Sequence, residues 1–314
     1  MIPNRVTLIG GTGFIGTELA MRLASRCSEV VLPTRRAARV REIRVLPNVR
    51  VVEADVHEPA ELARLVAGSD TVINLVGLLN EGGSGTSSFE GAHVGLTGKV
   101  LEAAAAAGAR RYLHVSALNA DAEGSSEYLR SKGRAEDLVR AAPGALAWTI
   151  FRPSIVFGER DSFFNRFATL LSAVPFVFPL AVPDARMAPV WVGDVCRTMV
   201  DAVDDPGAVG ETVHLCGPEE FTLRELVEYT ARVKGLERRV IGLPDGLARL
   251  QGRIMGRVPG KPFTTDNYLS LRTPSVCPEG APRQPTSIDA IVPRYLGDEN
   301  SLARLQEWRT EARR

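Results

Sequence analysis

The stretch VTLIGGTGFIGTELAMRLA, residues 6–24, decides the fold. Its first four residues, Val6-Thr7-Leu8-Ile9, form a short β-branched and apolar run, the composition of a buried strand. Gly10-Gly11-Thr12-Gly13-Phe14-Ile15-Gly16 follows, and Leu19, Ala20, Leu23 and Ala24 then recur at helical spacing. Strand, glycine turn and helix, in that order, are the context that a dinucleotide fingerprint requires. One glycine permits the tight turn, one lets the backbone approach a pyrophosphate, and one lets the helix pack closely on the strand. Phosphates held by residues 10–16 would sit on free N–H groups at the positive end of the helix.

The elements downstream continue the pattern. Glu29-Val30-Val31-Leu32 reads as the next strand. In a NAD-preferring fold an acidic residue about 20 residues after the glycines binds the ribose 2′-hydroxyl. Here the chain reads Pro33-Thr34-Arg35-Arg36. Arg35 and Arg36 suit a 2′-phosphate, so the expected cofactor is NADP(H) rather than NAD(H). A third strand over 50–56 ends near Asp55 and Val56, with Asp55 placed to hydrogen-bond an adenine amine. A fourth, over 71–77, carries Leu75, Val76 and Gly77 into a glycine loop. A helix over 94–107, a fifth strand over 111–116 and a sixth over 148–153 complete this half. Strands alternating with helices predict an α/β fold with a parallel, doubly wound sheet, and such sheets bind ligands at the carboxyl ends of their strands. Val115 and Ser116 lie at one such end.

The segment SSEYLRSKGRAEDL, 125–138, follows that fifth strand. It spaces Tyr128 and Lys132 four apart, on one face of a helix. The chain has only four lysines, Lys99, Lys132, Lys234 and Lys261, so the pair does not come from a lysine-rich surface. The bland reading is a packed tyrosine beside a solvated lysine. The position after the fifth strand of a nucleotide-binding sheet favours a nicotinamide site instead.

Composition bounds the rest. A chain of 314 residues, 45% hydrophobic and 24% charged, is ordinary for a soluble globular protein of one large domain or two modest ones. A net charge of +1 implies no general attraction to nucleic acid or to anionic membranes. Cys27, Cys196, Cys216 and Cys277 are scattered and form no CxxC pair, and His214 near Cys216 has no second ligand pair. They read as small buried apolar residues in a reducing compartment, with no metal site and no disulfide framework. The first residues show no secretory signal, which gives the expectation of a cytoplasmic protein. The most apolar stretch, 167–182, is too short for a membrane span and is interrupted by Pro175 and Pro179.

With these residues in place, the chain resembles the extended or atypical branch of the short-chain dehydrogenase/reductase superfamily, the NAD-dependent epimerase/dehydratase-like proteins. The matching motifs are GGTGFIG at 10–16, DV at 55–56, NLVG at 74–77, HVSA at 114–117, YLRSK at 128–132 and RPSIVFG at 152–158. VWVGDV at 190–195 and HLCGPEEFTLRELVE at 214–228 look like the later part of extended members. NLVG, HVSALNA and the short loop before YLRSK look most like the group of the dehydrogenase-like accessory subunit of mitochondrial complex I and its bacterial relatives, some of them linked to quinone metabolism.

The resemblance implies roles. Tyr128 is the acid/base at a carbonyl or alcohol oxygen. Lys132 binds the nicotinamide ribose and lowers the tyrosine pKa, as a nearby ammonium must. Ser116 hydrogen-bonds the substrate oxygen, and backbone at Pro153, Ser154 and Ile155 lines the nicotinamide. The chain also departs from the pattern: Ile9 stands where a Thr often opens the glycine motif, and Glu127 where epimerases carry a small residue or Pro. The Ser116–Tyr128 interval is shorter than in sugar-nucleotide epimerases, which leaves Ser125 and Ser126 as alternative hydroxyls.

Two domains are expected: an NADP(H)-binding domain over 1–156 with returning segments near 190–217, and a smaller, partly discontinuous substrate or interaction domain over 157–314. The expected function is NADP(H)-dependent oxidation or reduction of a small carbonyl, alcohol or quinone-related substrate. The alternative is a cofactor-stabilised assembly or sensing subunit of a respiratory or quinone-biosynthetic complex. A sugar-nucleotide epimerase or dehydratase is a weaker third. The substrate is unnamed by the sequence, no nucleic acid or transmembrane span is expected, and peripheral attachment at the inner membrane face and a homodimer are left open.

In the second half, 163–182 reads as a core helix and loop, with a lid, a quinone-facing wall or a membrane contact as alternatives. Leu243, Leu247, Leu250 and Ile254 recur at helical spacing among Arg238, Arg239, Arg249, Arg253, Arg257 and Lys261. This predicts a packed amphipathic helix with a solvated basic face, ahead of a lipid-surface helix. The four histidines do not cluster in sequence, and His114 is expected as a satisfied core residue. Residues 300–314 read as a charged terminal helix.

Overall fold

The computed structural model describes residues 5–37, 40, 43–142 and 146–297. The charged helix expected at 300–314 lies outside them. Its elements begin with β1 (Arg5–Ile9), α1 (Phe14–Ala24), β2 (Glu29–Thr34), β3 (Val49–Glu53), α2 (Pro59–Val66), β4 (Thr71–Asn74), α3 (Leu96–Ala106), β5 (Arg111–Val115), α4 (Glu127–Arg140) and β6 (Ala147–Pro153). There follow β7 (Val156–Phe157), α5 (Phe164–Ala173), β8 (Val177–Leu180), β9 (Arg186–Met187), β10 (Val190–Trp191), α6 (Val192–Asp204), β11 (Thr212–Leu215), β12 (Phe221–Thr222), α7 (Leu223–Val233) and β13 (Arg239–Gly242). The last are α8 (Asp245–Met255), α9 (Thr265–Leu271) and α10 (Ile288–Leu296). The chain divides into two compact units, Met1–Pro153 with Gly193–His214, and Ser154–Val192 with Leu215–Arg314.

The first unit is built on a seven-stranded sheet in the order β11-β6-β5-β4-β1-β2-β3. Pairing is parallel from β3 across to β6. This is the doubly wound order, with its switch point between β1 and β4. β4 and β5 are buried along their whole length. Helices covering both faces of a parallel sheet explain why such strands read as unbroken apolar runs. Val72, Val100, Leu101, Tyr112, Val139 and Ile150 pack in one core cluster of this unit.

Three strand and helix ends differ from expectation, each for a local reason. β4 stops at Asn74, because the Asn74 side-chain oxygen accepts the Val76 N–H at 3.1 Å and turns the chain out of the sheet. β3 stops at Glu53, and Asp55 turns the chain toward α2 by accepting the His57 N–H at 2.9 Å. The helix expected from residue 94 is preceded by a π-helical turn, Glu90–Gly95, that runs into α3.

The core of the second unit gathers Phe157, Phe164, Leu171, Phe178, Leu180, Leu226 and Val292. The stretch 163–182 therefore packs into this core through residues such as Phe164, Leu171, Phe178 and Leu180, while Phe176 is 80% exposed. Among the described residues no helix is long and apolar enough to cross a membrane.

Two expectations in this unit are corrected. Cys216 and Cys277 form a disulfide, with α-carbons 6.0 Å apart and a sequence separation of 61. A β-bridge pairs Cys216 with Arg283, so the fold sets the end of β11 beside a segment that sequence spacing does not link to it. Cys27 and Cys196 are free and buried, as expected. Disulfides persist in oxidising surroundings, so the cysteines no longer argue for a reducing compartment. The second correction concerns α8. Its buried residues are Ala248 and Gly252, not the leucines. A Cβ on Gly252 would stand 3.1 Å from the Thr264 carbonyl oxygen, so two small residues bring α8 against the start of α9. Leu247, Leu250 and Ile254 are left about half exposed.

Candidate functional site

The glycine turn of the first unit is shaped by contacts that only glycine permits. Gly10 has φ +79°, in the left-handed region. A Cβ on Gly16 would lie 2.5 Å from the Gly11 α-carbon, so α1 abuts the turn directly. α1 begins with no side-chain cap and no acid in its first turn, which leaves its positive end open to an anion. Thr12, Gly13, Phe14 and Ile15 lie at this end.

Because the strands run parallel, the residues following them meet on one edge of the sheet. Arg35 and Arg36 follow β2 and are exposed. Asp55, Val56 and His57 follow β3. Burial, together with the charges of Lys99 and Arg35 against the opposing pull of Asp55, holds His57 below the usual histidine range. Lys99 donates to the His57 carbonyl at 2.8 Å. Arg35, Arg36 and Lys99 thus place cations at this edge, beside the carboxylate of Asp55. Leu75, Val76 and Gly77 follow β4, Ser116 follows β5, and Pro153 ends β6, its carbonyl accepting the Leu118 N–H at 3.0 Å. Ser154 and Ile155 belong to the second unit. There Ser154 donates to the Ser275 carbonyl at 2.7 Å, and the Ile155 carbonyl accepts the Val190 N–H at 2.9 Å.

α4 brings Tyr128 and Lys132 to the same edge. Ser126 caps it, accepting the Leu129 N–H at 3.2 Å. Glu127, the departure from the family pattern, pairs with Arg130 at 2.9 Å and Arg134 at 2.5 Å. An acid in the first turn also suits the helix dipole. Gly133 lets α4 lie on the backbone of Asp121 and Ala122, which a Cβ would approach to 2.3 Å.

Lys132 is 2% exposed. Its ammonium donates to the Val115 carbonyl at 3.0 Å and the Val76 carbonyl at 3.2 Å, and so ties α4 to the ends of β5 and β4. Burial lowers its pKa to about 8, with Glu136 acting in the opposite direction. Glu136 is itself fully buried and held by Arg152 and Arg140, each at 2.6 Å. Ser116 is buried, and its hydroxyl has no partner among the described residues.

Two histidines that the sequence left unassigned adjoin this cluster. His93 sits in the π-helical turn and is buried. Its Nε2 accepts the Leu78 N–H at 2.9 Å, which fixes the proton on Nδ1, and Nδ1–H donates to Ser131 Oγ at 2.8 Å. Ser131 donates in turn to the Tyr128 carbonyl at 2.9 Å. Burial, then Lys132 and His114, lowers the His93 pKa to about 2, so the ring is neutral. His93 and Phe89 both meet the Tyr128 ring edge-on, with centroids 5.7 and 5.8 Å away. The tyrosine is thereby oriented by packing. His114 was expected as a satisfied core histidine. It is buried and stacks on Tyr112, but neither ring nitrogen has a partner among the described residues. His93 stands just before the helix expected over 94–107, and the π turn that holds it has a facing that helical periodicity does not predict.

The donor set fits a nicotinamide dinucleotide: an open helix end behind a glycine turn, cations past β2, and a buried ammonium and unpartnered hydroxyl past β4 and β5. These features define a dinucleotide-binding protein of the doubly wound class. Residues 10–163 match the family model described as NAD(P)H-binding. The chain is 33% identical over 287 residues to the mitochondrial NADH dehydrogenase [ubiquinone] 1 alpha subcomplex subunit 9 of Mus musculus, covering 88% of this chain and 74% of that protein. It is 32% identical over 249 residues to a ceramide reductase of Caulobacter vibrioides, covering 76% and 74%. Its fold matches dTDP-glucose 4,6-dehydratase of Streptomyces venezuelae, solved with NAD bound, at TM-score 0.68 and 22% identity over 97% of this chain and 98% of that one. The chain belongs to the extended, atypical short-chain dehydrogenase/reductases, in the group that holds the complex I accessory subunit and its bacterial relatives.

Proposed function

We propose that the protein is an NADP(H)-dependent oxidoreductase acting on a carbonyl or alcohol, with Tyr128, Lys132 and Ser116 as its catalytic residues. The observation that carries this reading is the buried Lys132 ammonium, one helical turn from Tyr128 and anchored to the ends of two strands. NADPH held by the glycine turn and Lys132 would, when bound, be the source of hydride for the carbonyl carbon. Tyr128 gives its phenolic proton to the carbonyl oxygen, which becomes the alcohol, and Ser116 donates a hydrogen bond to that oxygen. The Lys132 charge favours the phenolate left behind. Preference for the 2′-phosphate rests on Arg35 and Arg36. The likeness to a ceramide reductase supports a carbonyl substrate. A quinone-related substrate remains within the same chemistry.

The likeness to a complex I subunit across 88% of the chain favours a second reading, a cofactor-stabilised subunit of a respiratory or quinone-biosynthetic assembly, attached peripherally to the membrane. A single-turnover assay separates the two. The protein is loaded with NADPH, given a small-molecule extract of its source cells, and followed by near-ultraviolet absorbance beside Tyr128→Phe. The enzyme reading expects oxidation by the wild type, a loss on the order of 10²-fold or more in the variant, and cofactor affinity within about twofold. Tight NADPH binding without oxidation in either protein refutes it. Tightly held NAD⁺ in the purified protein would refute the role given to Arg35 and Arg36.

A further inference from the structure

We infer that one face of the second unit, centred on α8, is a docking surface for an anionic phospholipid bilayer. Twelve large hydrophobic side chains are exposed among the described residues, and seven of them belong to this face. Leu247, Leu250 and Ile254 stand three and four apart on α8, at 52%, 48% and 55% exposure, and Val258 extends their line just past the helix. The buried residues Ala248 and Gly252 lie on the other side, so among the described residues α8 packs through them and not through this stripe.

The stripe continues onto a two-stranded ribbon. β8 and β13 pair in parallel, Arg239 opposite Val177 and Ile241 opposite Pro179. Val177 and Ile241 alternate outward with the buried Phe178 and Val240, and Phe176 precedes them at 80% exposure with φ +59°. Gln251 of α8 reaches the Pro179 carbonyl at 3.5 Å, so helix and ribbon are neighbours.

Charge selects the occupant. Residues 238–261 carry five arginines and one lysine against a single carboxylate, Asp245, in a chain whose net charge is only +1. Asp245 is held by Arg249 and by the Tyr268 hydroxyl. Arg253 and Arg257 are exposed on one flank of the stripe, and Arg239 is exposed on the ribbon. An apolar stripe flanked by arginines, on a helix that lies along the surface, matches the boundary between acyl chains and anionic headgroups. The inference does not depend on the reaction proposed above.

The test is co-sedimentation of the full chain with phosphatidylcholine vesicles, with and without phosphatidylglycerol. Binding should require phosphatidylglycerol and weaken as salt is raised. Neutralising two arginines, Arg253→Gln with Arg257→Gln, should weaken it about 25-fold, roughly fivefold for each charge. Leu250→Ser with Ile254→Ser should weaken it about tenfold or more. Both variants should keep the wild-type circular dichroism and NADPH affinity, because these side chains are exposed. Equal binding to both vesicle types overturns the inference, as does unchanged binding by the two variants. So does self-association without vesicles that the same substitutions abolish, since a second copy would then cover the face.

Discussion

Lys132→Met should change how stability depends on pH, and the direction follows from where the ammonium lies. In the fold its pKa is about 8, against an ordinary 10.5. Between those values the unfolded chain holds a proton that the folded chain has released, so folding stability rises with pH through this window. Below pH 8 both states are protonated and the folded state bears the full cost of a desolvated ammonium. The shift from 10.5 to about 8 corresponds to roughly 3 kcal/mol at 1.36 kcal/mol per pH unit, of which about 2.5 kcal/mol is recovered between pH 7 and pH 10. Methionine keeps the length of the side chain and removes the charge. The unfolding free energy of wild type minus variant should therefore rise by about 2.5 kcal/mol from pH 7 to pH 10. Urea titrations of the cofactor-free protein measure it, read at Trp148 of β6 with Trp191 and Trp308 replaced by Phe, so that the first unit is followed. Subtraction of the variant removes the titrating groups that the Lys132 charge does not influence. Parallel curves, within about 0.5 kcal/mol across the range, would refute the placement of a desolvated ammonium at this site.

Gly133→Ala should push α4 off the backbone of Asp121 and Ala122, where a Cβ would stand 2.3 Å away. We expect a loss of about 1–3 kcal/mol in stability and weaker NADPH binding, measured by urea unfolding and cofactor titration. Ser116→Ala removes a buried hydroxyl that has no partner among the described residues. Cofactor-free stability should hold or rise by about 1 kcal/mol while single-turnover oxidation of NADPH falls; equal losses in both would mark Ser116 as structural. Titration of thiols in denaturant without reductant should find two, from Cys27 and Cys196, and four after reduction.

The glycine turn and the parallel, doubly wound alternation of strands and helices were legible because local rules and tertiary structure agree there. Val6 to Ile9 must be buried, Gly10 must reach positive φ, and Gly16 must touch Gly11. Tyr128 and Lys132 were legible from helical spacing on a helix placed by the strand before it. Three features were not. The Asn74 turn depends on which way one amide side chain bonds, and a strand pattern does not encode that. The disulfide joins cysteines 61 residues apart, with no spacing rule to connect them. The leucines of α8 have the period of a packed face, yet Ala248 and Gly252 take that role because small residues allow a closer approach. Periodicity identifies an apolar face and says nothing of whether another element covers it.

The buried polar groups of the first unit fall into two kinds, and the difference bears on function. Glu136 is fully buried, but Arg140 and Arg152 answer its charge, so it behaves as a structural ion network. Lys132, a helical turn before it, is held by two carbonyls whose partial charges do not match a full positive one. Ser116 and His114 are buried with polar atoms that no described residue answers. Each such group costs about 1–3 kcal/mol, in a fold whose whole margin is on the order of 5–15 kcal/mol. Apolar side chains of the same size would make a more stable sheet edge. Violations of local rules that gather at the carboxyl end of a parallel sheet are what a binding site requires. A subunit that only stored its cofactor would have use for the Lys132 ammonium beside a ribose. The proposed reaction would also use a hydroxyl past β5 and a tyrosine oriented by Phe89 and His93. Those two features, set beside the buried Lys132, are what the proposed reaction asks of this sheet edge.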